Sequence, residues 1–139
     1  MHVQKDKMEG VVNEFFEKIK NKPDYYFEVF DVVEIAKNND LWIDWPGKTG
    51  VYAFANEKEV FYVGRALKGT YLGKRIDENT KVTDDIKQSA WQETIKKPST
   101  KIILCIFKNE KDDFWAASLE IYLFDHFLSE SWKFNKRRG

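Results

Sequence analysis

Met8, Val11, Val12, Phe15, Phe16 and Ile19 recur at spacings of three and four. That period places them on one face of an amphipathic helix, which Asn21 and Pro23 close. Asp31 and Glu34 read as a capping pair for a second short helix that runs to about Lys37. Asn38-Asn39-Asp40 break the chain, and Trp42, Trp45, Pro46 and Gly47 form a linker packed by its aromatic rings. From Thr49 the pattern changes. Val51–Ala55 and Val60–Val63 predict two strands joined by a polar turn at Asn56-Glu57-Lys58-Glu59. Thr70 caps a short helix carrying Leu72, Arg75 and Ile76, and Thr83 caps another from Asp84 to Lys97, stopped by Pro98. Lys101–Phe107 is an unbroken apolar run, which predicts a central strand. A long helix follows from about Asp112 to Ser129, then a basic tail, Trp132–Gly139. No repeat or low-complexity tract interrupts this order.

The order predicts an α/β or α+β domain with a small three-stranded sheet flanked by helices. Residues 1–48 read as a helical N-terminal extension and 49–139 as the sheet-bearing domain. At 139 residues, 42% hydrophobic and 16% aromatic, the chain is long and apolar enough to bury a core. Its 23 basic and 23 acidic residues cancel, so no global field draws it to nucleic acid. A single cysteine, Cys105, excludes an internal disulfide and fits a reducing compartment; its place in the apolar run marks a core thiol. The start Met1-His2-Val3-Gln4-Lys5 has no apolar signal region, and no run is long enough to span a bilayer. The expectation is a cytoplasmic protein with no membrane association.

Charge placement is more informative than charge sum. On the long helix, Ser118, Tyr122, Asp125, His126 and Ser129 form a polar stripe. Glu120 lies on the other side, among Ala116, Ala117, Leu123, Phe124 and Phe127. An ionised carboxylate there is costly unless it is paired or holds a metal. It is therefore either a buried salt bridge, with Arg75 as a candidate partner, or a functional carboxylate. Phe61–Ile76 contains Arg65, Lys68, Lys74 and Arg75 and no acid. Such a patch is either a solvated face or a phosphate contact. Arg75 stands apart, because Leu72 and Ile76 bracket it on the apolar side of its helix. Tyr52 shares a strand face with Gly50 and Phe54, and Tyr62 with Gly64. Paired as a hairpin, the two strands bring the phenols together. Aromatic cross-strand pairs are common structural devices, but glycine inside a strand often marks the close approach of a ligand or a backbone.

Other chemistries find no support. Gly47-Lys48-Thr49 resembles the end of a phosphate-binding P-loop, but Trp42 stands where that motif needs glycine, and a strand follows where it needs a helix. Two histidines and one cysteine make no zinc-ligand set, and no serine sits in a Gly-x-Ser-x-Gly elbow.

Gly50-Val51-Tyr52, nine residues, then Tyr62-Val63-Gly64 resembles the signature of the GIY-YIG nuclease superfamily. Arg75 on the first helix after the second triplet, Glu120 on the helix after the third strand, and Asn135 near the end agree with it in order. The resemblance covers about Thr49–Asn135. It implies a GIY-YIG-like sheet and an endonuclease that hydrolyses phosphodiester bonds of double-stranded DNA with one Mg²⁺ or Mn²⁺. Glu120 would be the metal's protein ligand, Tyr52 the general base and Tyr62 the group that orients water or a phosphate oxygen. Arg75 would stabilise charge on the phosphate, and Asn135 would hold the scissile strand or brace the site. Gly64, Arg65, Lys68 and Lys74 would line the path of the substrate. No DNA-targeting module such as a zinc finger or helix-turn-helix is recognisable, so sequence specificity would come from the N-terminal helices, from a homodimer joined through them, or not exist. Two alternatives need no catalysis. One is a nucleic-acid-binding module on the same fold. The other is a protein-interaction domain built on the Met8–Ile19 helix and the Trp42–Trp45 segment. The enzyme reading requires Tyr52, Tyr62, Arg75, Glu120 and Asn135 to converge on one cleft.

Overall fold

The computed structural model describes residues 3–37, 48–69, 71–72 and 97–127, with 35–37 described in backbone only. The first helix, α1, spans Val3–Phe16; strand β1, Tyr25–Asp31, and helix α2, Val32–Lys37, follow it directly. Strands β2, Thr49–Ala55, and β3, Val60–Ala66, form a hairpin, and β4 is Lys101–Phe107. A 3₁₀ turn, Glu110–Asp113, leads into the last described helix, α3, Phe114–Phe127.

The sheet has four strands in the order β1-β4-β2-β3, and every pairing is antiparallel. This corrects the three-stranded expectation. The additional strand, β1, comes from the segment read as a helical extension and pairs along all of β4, from Tyr25 opposite Phe107 to Asp31 opposite Lys101. Its sequence, Tyr-Tyr-Phe-Glu-Val-Phe-Asp, is apolar on both faces and so lacks the alternation that reveals a half-exposed strand. The expected central strand is β4, flanked on both sides. The hairpin turn is tied as its polar residues require: Asn56 Oδ1 accepts from the backbone N–H groups of Lys58 and Glu59 at 2.8 and 2.9 Å.

Side chains of one sheet face meet α1 and α3. Val51, Ala53, Val63, Ile103, Cys105 and Phe107 form a core with Met8, Val12 and Phe16 of α1 and Ala116, Leu119 and Leu123 of α3. An aromatic seam joins these helices to β1: Phe16 lies 5.4 Å from Tyr25 and 5.5 Å from Trp115, and Phe15 lies 5.1 Å from Tyr122. Each such pair contributes about 0.5–1.5 kcal/mol beyond burial. The apolar face of α1, considered above as a surface for a partner or a homodimer, is thus spent inside the domain. The other sheet face carries Tyr52, Phe54, Ile102, Leu104 and Ile106, with Leu72 and Val32. Among the described residues no helix is long and apolar enough to cross a membrane.

One close contact sets the spacing of two strands. A Cβ on Gly50 would stand 2.0 Å from the carbonyl oxygen of Cys105, so only glycine lets β2 lie this close to β4 there. Gly50→Ala should lower stability by about 1–3 kcal/mol, the scale of overpacking a core, as a fall in the urea midpoint; an unchanged midpoint would show that the backbone gives way freely. Cys105 is fully buried, and burial pushes its thiol far above the ordinary range. Ellman's reagent should therefore react with it only as fast as the chain unfolds, and immediate reaction in native buffer would contradict the burial.

Candidate active site

The β2–β3 register brings the tyrosines together. Tyr52 pairs with Gly64 and Phe54 with Tyr62, which sets the two phenols on one face as diagonal neighbours. Their rings stack with centroids 6.2 Å apart and planes 27° from parallel. Phe54 stands edge-on to both, at 6.1 Å from Tyr52 and 5.8 Å from Tyr62. Tyr52 is 1% exposed, whereas Tyr62 is half-buried on the outer strand of the hairpin.

Gly64 has a specific reason to be glycine. A Cβ there would lie 2.5 Å from the phenol oxygen and from Cζ of Tyr52. The ring of the first triplet lies across the glycine of the second. The close approach expected at this glycine is made by the chain's own tyrosine, and at Gly50 by the backbone of β4.

Arg65 follows Gly64 and therefore points to the other face. It sits opposite Val51, which belongs to the core under α3. There its Nη1 donates to Oε1 of Glu120 at 3.4 Å. The Glu120 side chain is 9% exposed and that of Arg65 28%. Glu120 is thus a buried carboxylate with a cationic neighbour, as its place on the apolar helix face demands, and among the described residues Arg65 is such a neighbour. At 3.4 Å the bond is near the long limit of its kind.

Lys68 lies in the loop beyond β3, where its backbone N–H donates to Oδ2 of Asp113 at 2.7 Å. Tyr52, Tyr62 and Gly64 therefore meet on one face of the hairpin and Arg65 with Glu120 on the other, so the described residues do not converge on the single cleft that the enzyme reading calls for. Lys74, Arg75 and Asn135 lie outside the described residues. Sequence reasoning missed Asp113, Glu110 and Tyr71, whose contacts shape the Lys68 loop. A signal was present in Asn109 followed by an acid-rich turn, because Asn109 Oδ1 caps that turn by accepting from Lys111 N–H.

Glu120 presents one carboxylate, and among the described residues no cluster of three or more potential metal ligands exists. A single carboxylate suits Mg²⁺, which keeps most of its waters and takes further ligands from a substrate phosphate. In kind the Glu120 carboxylate fits such a ligand, and Arg65 stands beside it. A cavity of about 130 Å³ lies elsewhere, at the far end of the sheet between the start of α1 and the β2–β3 turn, lined by Val3, Gln4, Val29, Ala55 and Ile103. It includes none of the candidate residues.

No family model, curated protein or solved structure matches the chain.

A double-mutant cycle with Arg65→Met and Glu120→Gln measures how far the pair holds the fold. Because both side chains are largely withdrawn from water, a coupling on the order of 1 kcal/mol is expected, at or above the level of exposed pairs. A coupling near zero in urea denaturation would mean that Arg65 does not stabilise the ionised Glu120.

Proposed function

We propose that the protein is a divalent-metal-dependent endonuclease of the GIY-YIG type, acting on double-stranded DNA. The observation that carries this reading is the outer strand of the hairpin. Within Tyr62–Arg65 it joins a phenol, a glycine occupied by the second phenol, and a guanidinium beside the buried Glu120. These are the group types that phosphodiester hydrolysis needs: a proton acceptor, a cation for the phosphate and a carboxylate for a metal.

In this reading Glu120 would hold Mg²⁺ or Mn²⁺, and the metal would supply Lewis-acid stabilisation of negative charge. Arg65, beside Glu120, would offer its guanidinium to a phosphate. Tyr52 takes the proton of the attacking water, and Tyr62 orients that water by its more exposed hydroxyl. Arg75 shares the phosphate charge, Lys68 and Lys74 follow the backbone, and Asn135 holds the scissile strand. With Tyr52 1% exposed, substrate binding must open the face around its hydroxyl before it can act as base.

That burial also favours a second reading, a nucleic-acid-binding module on the same fold whose tyrosines serve only the core. The two part in a plasmid assay. With Mg²⁺ or Mn²⁺ the endonuclease nicks supercoiled DNA, Glu120→Gln lowers the rate by at least about 100-fold, and Tyr52→Phe does the same, the scale of losing a group that acts on the transition state. Equal background from wild type and a folded Glu120→Gln variant would end the enzyme reading. The binding module would still show DNA affinity that falls with salt and weakens when Arg65 and Lys68 are neutralised.

A further inference from the structure

The loop after β3 is held in a shape its sequence does not favour. It turns at Gly69, with φ of +100°, and again at Tyr71, with φ of +63°. A bulky residue in the left-handed region persists only where its surroundings impose it. Four hydrogen bonds do so here. Tyr71 N–H donates to the Leu67 carbonyl at 2.9 Å and Leu72 N–H to the Lys48 carbonyl at 2.8 Å. Lys68 N–H donates to Oδ2 of Asp113 at 2.7 Å. The Tyr71 hydroxyl donates to Oε2 of Glu110 at 3.0 Å. The last two end on carboxylates, so they are the stronger kind.

We propose that Asp113 and Glu110 are positioning residues that set where the Arg65–Lys68 stretch presents its cations to a nucleic-acid backbone. The inference rests on the function proposed above. Both carboxylates sit on the 3₁₀ turn that runs without a break into α3, and α3 carries Glu120. One rigid element thus fixes the carboxylate of the site and the loop that borders it. The Glu110 carboxylate keeps the proton on Tyr71, whose hydroxyl is raised above its ordinary range by that bond. Tyr71 therefore serves as a donor to Glu110. Asp113 and Glu110 touch no substrate in this scheme; they act through the loop.

The test uses the full chain with Asp113→Ala, Asp113→Asn and Tyr71→Phe. Asp113→Ala should raise hydrogen exchange at the Lys68 amide and tryptic cleavage after Lys68 by about 10-fold, with the urea midpoint little changed. Asp113→Asn, which keeps an acceptor, should restore most of the protection. In plasmid nicking, Asp113→Ala and Tyr71→Phe should raise KM several-fold with kcat within about twofold. In DNA binding, they should flatten the salt slope by about one phosphate contact. Unchanged exchange and cleavage at Lys68 would overturn the clamp itself. A loosened loop with KM and salt slope unchanged would overturn its role in positioning. If wild type neither nicks nor binds DNA, the functional reading fails and the positioning role with it, while the exchange data still decide whether the clamp exists.

Discussion

Strand β4 pairs on both edges and is buried on both faces, so it can bury either face equally well. Ile103, Cys105 and Phe107 face the helices; Ile102, Leu104 and Ile106 face away. A one-residue slip would exchange two sets of large apolar side chains at little cost in burial. In most half-buried strands the hydrophobic pattern forbids such a slip. Here the neighbours must forbid it. β2 does so with unequal faces: Ala53 and Ala55 are small under the helices, whereas Tyr52 and Phe54 are large on the other side. Gly50 adds a geometric stop, because its missing Cβ is the space into which the Cys105 carbonyl fits. β4 supplies the burial and β2 supplies the register.

That division explains which parts of the fold were legible in the sequence. Period and run length were enough for α1, β2, β3, β4 and α3, because each is a strong pattern tied to local geometry. β1 was hidden for the reason that β4 was not: its seven residues have no polar alternation, and they are a strand chiefly because β4 offers an open edge along its whole length. Glu120 was legible as a carboxylate needing a partner, since a helical wheel suffices to see the conflict. Its described partner was not, because Arg65 reaches it through strand alternation and helix placement that only the tertiary structure fixes. The glycines were legible as close approaches, but what approaches them was not.

The described candidate residues are not gathered in a bowl. They straddle a strand, with phenols on one side and the ion pair on the other. The pleat enforces this, because Gly64 and Arg65 are consecutive and must diverge. Chemistry shared by these groups has to occur around the strand's edge, with a substrate that spans the thickness of one sheet. In the proposed reading, an extended phosphodiester backbone would have to engage the site in this way.

The ring of Tyr52 resting on Gly64 makes the two triplets one unit of heredity. Neither position can drift alone: a side chain at Gly64 collides with the phenol, and a smaller residue at Tyr52 leaves a hollow above the glycine. Change is open mainly to paired substitutions, one losing volume as the other gains it. Such a lock would preserve both triplets across divergence even in a descendant that had lost all activity. Persistence of the signature in related chains would therefore be a record of packing first, and of catalysis only where the carboxylate persists as well.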